Sequence, residues 1–135
     1  MKFDVLTFEG QKFNEKPDLL ELGKRLYGLR ETAVIVPYVE KSSVDWIPVE
    51  QECHANVDNW VLRNPTSKAV RGWMYFNLLG MFTAHSIVED ENGVLLDITP
   101  SRAAQRYPFI RHPGSESEFV ELVEKYQARN FYYAI

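Results

Sequence analysis

Cysteine is nearly missing from this sequence: Cys53 is the only one in 135 residues. One thiol cannot close an internal disulfide, so no cross-linked framework is expected, and a cytoplasmic, reducing location fits. Long hydrophobic runs are missing too. No apolar stretch approaches the roughly 18–20 residues that span a bilayer. The first residues, Met1 to Phe13, carry Asp4 and Glu9 and lack a long apolar segment, so they do not read as a secretory leader. Positive charge is in deficit: 15 Lys plus Arg against 19 Asp plus Glu leave a net charge of −4. A dedicated nucleic-acid binder normally carries a basic patch, so neither a nucleic-acid nor a membrane partner is expected. The glycines are scattered, with no Gly-x-Gly-x-x-Gly and no phosphate loop, which removes the usual nucleotide-binding signals. Paired metal ligands at short spacing are also lacking: there is no Cys-x-x-Cys, His-x-x-x-His or His-Glu-x-x-His. Cys53 and His54 are adjacent, and on a helix they would point about 100° apart. No cofactor and no metal are expected.

What is present is a core. With 45% hydrophobic and 13% aromatic residues, the chain can bury enough apolar surface to fold, and its length suits one domain over residues 1–135. Lys2 to Phe13 reads as a short strand or extended arm. After Pro17, the positions Leu19, Leu20, Leu22, Leu26 and Tyr27 fall on one side of a 3.6-residue period and predict a helix that Gly28 stops. Thr32 to Val39 is β-branched and aromatic and predicts a strand, put at an edge or cut short by Pro37. A loop over Glu40 to Glu50 follows. Val57, Trp60, Val61 and Asn64 then share a helical face, predicting a helix from about Cys53 to just before Pro65. Ala69 to Asn77, Met81 to Glu89 and Val94 to Thr99 read as strands, the last two joined at the Asn92-Gly93 turn signal. Arg111 to Ser115 reads as loop, with His112 on the surface. A final helix is expected over about Ser117 to Ala128, its face made by Phe119, Leu122, Val123 and Tyr126. Ser115 and Glu118 form a capping-box pattern at its start. The apolar tail, Phe131 to Ile135, suits a last strand or a partner surface. Helices set apart from an antiparallel sheet read as α+β.

Three residues on these elements carry chemistry. Cys53 opens a helix, where unpaired N–H groups favour a thiolate; its plainer role is that of a small buried hydrophobe. His85 lies on a strand, where alternation groups it with Ile87 and Glu89. An imidazole can pair with a thiolate and later protonate a leaving group; its plainer role is structural hydrogen bonding. Asp97 lies on the next strand. If the turn centres on Asn92-Gly93, His85 faces position 100 and Asp97 sits about three places away, an offset that a longer loop would change. A carboxylate there would orient the imidazole; its plainer role is to start the turn before Pro100.

The helix-borne cysteine, the run His85-Ser86-Ile87-Val88-Glu89, the Gly93 turn and Asp97-Ile98-Thr99-Pro100 resemble the papain-like and transglutaminase-like cysteine fold. Transglutaminase-like domains show a similar His-x-x-Val-Glu, a glycine turn, then Asp-x-Thr. The segment is also similar to small uncharacterised bacterial proteins with a Cys-His or Cys-x-x-Asn-Val start and a His…Asp-Ile-Thr-Pro end. The likeness covers about Gln51 to Pro100. It implies a nucleophile helix packed on an antiparallel sheet, and a Cys53–His85–Asp97 triad in a hydrolase or acyl transferase. The substrate would be an amide in a small molecule, peptide or protein: a peptidase, amidase or glutamine deamidase type of reaction. Papain-like proteases place an oxyanion-donating glutamine several residues before the cysteine. Here Gln51 stands only two residues upstream, so backbone N–H groups near Cys53 are the other candidates.

Asn56, one turn after Cys53, is a candidate to position a bound carbonyl, and Trp73 and Trp46 are candidate cleft walls. His54 is placed at the helix start, touching substrate or exposed. Arg102 and Arg106 could meet an acidic group or simply face solvent. A reading of a different class stays open: a non-catalytic binding module on the same scaffold, favoured by Glu52 beside the thiol, with the aromatic tail as its partner surface.

Overall fold

The structure is a computed structural model, and it describes residues 7–8, 11–12, 17–77, 80–101, 106–126 and 130–132. Three helices and an antiparallel sheet make it an α+β fold. The helices are α1 (Pro17–Gly28), α2 (Cys53–Arg63) and α3 (Glu116–Tyr126). The strands are β1 (Thr7–Phe8), β2 (Gln11–Lys12), β3 (Lys68–Phe76), β4 (Met81–Glu89), β5 (Leu95–Leu96), β6 (Phe109–Arg111) and β7 (Asn130–Tyr132). β1 and β2 pair with each other, in the region read as a strand or arm. The larger sheet has the order β5-β4-β3-β6, with β7 also on β4. Among the described residues no helix is long and apolar enough to cross a membrane.

The chain divides into two compact units. One draws on Met1–Val34, Gly72–Ala84 and Tyr107–Ile135, the other on Ile35–Arg71 and His85–Arg106. In the first unit, α1 buries Leu19, Leu22 and Leu26 against Trp73, Phe82 and Phe119. Pro17 suits a first helical position because its missing N–H is one that no helix bonds there. Gly72 allows β3 and β6 to pair closely: a Cβ there would lie 2.3 Å from the Ile110 carbonyl oxygen. Ser115 caps α3, its Oγ accepting from the Glu118 N–H at 3.1 Å. The returning arm of a capping box is replaced, since the Glu118 carboxylate accepts from His112 Nε2 at 2.7 Å.

The second unit is smaller and carries the residues of interest. Val57 of α2 packs with Val88 of β4 and with Ile98, and Trp46, Trp60 and Val61 lie against them. The apolar positions at i and i+4 that predict α2 are therefore the positions that fix it to the sheet.

Several expectations need correction. Thr32 to Val39 is no continuous strand. It begins in a 3-10 turn, Arg30–Thr32, and then makes single bridges, Val34 with Phe109 and Tyr38 with Asp97. Pro37, with no N–H to give, sits between the two bridges and prevents a ladder from extending. β6 forms where the sequence pattern offers only three residues before a loop. Val94 to Thr99 shortens to Leu95–Leu96. The turn before it is also longer than two residues. Asp90 N donates to the Val94 carbonyl at 2.9 Å, leaving Glu91, Asn92 and Gly93 as a three-residue loop with Gly93 at φ +82°. Asp90 Oδ1 accepts from Asn92 N and Val94 N at 2.8 and 2.9 Å and locks it. Such loops end on a residue in the left-handed region, which glycine adopts without a Cβ clash. The pairs become Val88 with Leu96 and Glu89 with Leu95, one residue away from the register of a two-residue turn. Carried one place further, Asp97 faces Ile87 and so shares the His85 side of the sheet. The shorter turn would have sent it to the other side, because each single-residue slip flips a strand's faces.

Candidate active site

Cys53 is the first residue of α2 and is half-buried. The chain reaches it through a strained corner: Gln51 adopts φ +69°, a left-handed backbone that side-chain-bearing residues seldom take. Glu52 takes the N-cap position without a side-chain capping bond. The first-turn N–H groups are therefore not covered by that carboxylate, and the partial positive charge of the helix start falls at the sulfur.

His85 and Asp97 meet as a buried pair, 8% and 3% exposed. His85 Nε2 lies 2.8 Å from Asp97 Oδ2, which leaves Nδ1 as the ring nitrogen not engaged by that carboxylate. Asp97 is itself held on every side. Thr99 N donates to Oδ1 at 3.1 Å and Arg106 Nη1 to Oδ2 at 3.3 Å. Its backbone N–H and C=O are bonded to Pro37 and Val39 at 2.9 Å each. A carboxylate so placed has one orientation and passes it to the ring.

The electrostatics follow. Burial pushes the Cys53 thiol up, but hydrogen bonding with His54 and His85, and the charge of those rings, bring it down to about 6. Burial pushes His85 down, but its bonds to Asp97 and Cys53 carry it up to about 9. Both shifts favour the thiolate–imidazolium form of the pair at neutral pH. Glu52, exposed to solvent, does not prevent this.

On its other side Cys53 Sγ lies 3.7 Å from His54 Nδ1. That nitrogen is 2.6 Å from Ser86 Oγ. Arg71 Nη1 donates to the same oxygen at 2.8 Å, and its Nη2 donates to Asp58 at 2.5 Å. One polar chain therefore runs Asp58, Arg71, Ser86, His54, Cys53, and a second runs His85, Asp97, Arg106.

The other sequence candidates fall elsewhere. Gln51 is exposed. Asn56 is 2% exposed, and its amide is committed to architecture. It donates to the Val49 carbonyl at 2.8 Å and to Thr99 Oγ1 at 3.1 Å, and accepts from Val49 N at 2.9 Å. Trp73 is a core residue of the first unit, 2% exposed, and its indole N–H donates to His112 Nδ1 at 3.0 Å. Trp46 packs on the Val57 core, with Arg63 over its ring. His112, expected on the surface, is held between Trp73 and Glu118. Arg106 serves Asp97, while Arg102 lies outside the described residues.

No family model, curated protein or solved structure matches this chain. Its chemistry is therefore read from its own geometry. Among the described residues no group of three or more His, Cys, Asp or Glu gathers as a metal cage. Sequence reasoning undervalued His54, Ser86 and Arg71. The one available signal was their order: two residues in succession on a helix start and two in succession on a strand, Cys53-His54 and His85-Ser86.

Proposed function

We propose that this chain is a cysteine-dependent hydrolase or acyl transferase acting on an amide, of the papain-like or transglutaminase-like type. The observation that carries the reading is the buried His85–Asp97 pair, Nε2 to Oδ2 2.8 Å, whose imidazole lowers the pKa of the Cys53 thiol at the start of α2. This is the order of parts that nucleophilic catalysis by a thiol requires: nucleophile, base, orienting carboxylate.

The Cys53 thiolate attacks the amide carbonyl carbon and forms the C–S bond, while the carbonyl π electrons move to oxygen. First-turn N–H groups of α2 are the nearest donors for that oxyanion. As the C–N bond breaks, the His85 imidazolium gives its proton to the departing amine. Water, or an acceptor amine, then adds to the thioacyl carbon and passes a proton to His85. The C–S bond breaks, its electron pair returns to sulfur, and the thiolate–imidazolium pair is restored. The substrate is an amide in a small molecule, a peptide or a protein, and water or an amine as acceptor decides between hydrolysis or deamidation and transfer.

The test joins labelling with turnover. Iodoacetamide should modify Cys53 faster at pH 7 than it modifies a free cysteine. A panel of amide and activated-ester substrates should give turnover that Cys53→Ala abolishes. Turnover in Cys53→Ala equal to that of the parent chain removes the mechanism; no turnover by the parent chain leaves the scaffold with a binding role.

A further inference from the structure

Two imidazoles border the Cys53 sulfur. His85 is backed by a carboxylate, which suits a ring that carries and delivers a proton. His54 is backed differently, by the hydroxyl of the fully buried Ser86, which Arg71 and Asp58 hold in turn. Two consecutive residues of β4 thus meet two consecutive residues of α2.

Proton bookkeeping at Ser86 defines what His54 does. Arg71 can only donate, so it occupies one lone pair of Ser86 Oγ. If the hydroxyl donates to His54 Nδ1, the ring carries its hydrogen on Nε2. If the hydroxyl oxygen accepts, the hydrogen sits on Nδ1 and is shared between Ser86 Oγ at 2.6 Å and, as the longer arm, Cys53 Sγ at 3.7 Å. A negative sulfur selects the second arrangement, because a nitrogen lone pair aimed at it would repel it and an N–H attracts it. Ser86 is the pivot, and the Asp58–Arg71 pair keeps the pivot still.

We infer that His54 is a positioning residue for the nucleophile: its Nδ1–H, steadied by Ser86 and Arg71, is a second hydrogen bond that keeps Cys53 in its reactive thiolate form. The inference rests on the reading of Cys53 as the nucleophile. It adds a division of labour between the two rings. His85 gives its proton to the leaving amine and takes one from water. His54 stays outside that cycle. When the C–S bond of the thioacyl intermediate breaks and the electron pair returns to sulfur, the His54 N–H receives the charge.

The experiment follows Cys53 alkylation by iodoacetamide against pH in the full chain, by mass spectrometry of the labelled peptide, and needs no substrate. The parent chain should half-titrate near 6. His54→Ala should move that midpoint up by about one pH unit, slowing alkylation at pH 6 by about fivefold. His54→Asn, which keeps an N–H close to the Nδ1 position, should recover part of the shift. Ser86→Ala should move it in the same direction by less. Circular dichroism and thermal unfolding check each variant; if His54→Ala fails to fold, His54→Asn and Ser86→Ala decide. An unmoved midpoint in the folded variants overturns the inference and leaves the Cys53–His85 pair standing. A parent midpoint at the free-thiol value of about 8.5 overturns the proposed function itself.

Discussion

Asp97 shows how much one side chain can decide. Its two oxygens take up the His85 ring, the Thr99 N–H and the Arg106 guanidinium, so it both aims the imidazole and stabilises its positive charge. Asp97→Asn keeps the shape and removes the charge. His85 then loses its largest support and falls from about 9 toward its ordinary 6.5. Below about 6 the sulfur is protonated, and above about 9 the imidazole is neutral, so kcat/KM should be bell-shaped between those limits, which belong to the pair. Asp97→Asn should lower kcat/KM by about 10² to 10⁴ and draw the alkaline limb toward neutrality, as a pH–rate profile would record. An alkaline limb that stays in place would mean that Asp97 does not support the imidazolium.

At the scale of elements, the question is what keeps α2, the loop before it and the Asp97 segment in register. Asn56 does this with one amide, which binds both backbone groups of Val49 and the Thr99 hydroxyl. Asn56→Ala leaves those partners short of bonds in a buried place, at a cost of about 1–3 kcal/mol each at most and less where water enters. The expected result is a lower urea midpoint with Cys53 alkylation at pH 7 nearly unchanged. A rise in KM with an unmoved urea midpoint would return Asn56 to the role of a substrate contact. The turn at Glu91–Gly93 is the other element-scale device. Its glycine was legible in the sequence, but its length was not. A two-residue and a three-residue loop carry the same Asn-Gly signal, and only the Asp90–Val94 bond distinguishes them. That single residue moves Asp97 to the His85 side.

For the molecule as a whole, pH acts on stability as well as on chemistry, and His112 provides a place where it acts away from the thiol. Trp73 Nε1–H can only donate, so His112 Nδ1 must accept, and the ring hydrogen sits on Nε2 facing Glu118. A second proton would have to displace the indole bond. Burial lowers the His112 pKa, and the hydrogen bond to Glu118 opposes without reversing this. The folded pKa is thus below the unfolded value near 6.5. Stability is present above 6.5 and is lost as the pH falls through the folded value, because the unfolded chain binds the proton more readily. Between pH 7 and pH 5 the parent chain should lose more unfolding free energy than His112→Gln, measured by urea denaturation with tryptophan fluorescence. Equal losses would place the acid sensitivity elsewhere.

Local pattern was enough for the α+β class and, among the described residues, for the three helices and the two long strands. These rest on local periodicity, in which neighbours three, four or two positions apart carry the signal. It also singled out Cys53, His85 and Asp97, because a thiol at a helix start and an imidazole and carboxylate on adjoining strands are visible as residue types on elements. It overstated Thr32 to Val39, where β propensity was strong but Pro37 limited the pairing. It passed over β6, too short to show a period, and buried His112, which a loop composition hides. Tertiary structure alone decided that Asp97 shares a face with His85, that Asn56 serves architecture, and that His54 faces a buried serine. Each of these depends on a register or on a contact between distant segments. Such contacts are set by loop length and packing, and no local pattern encodes them.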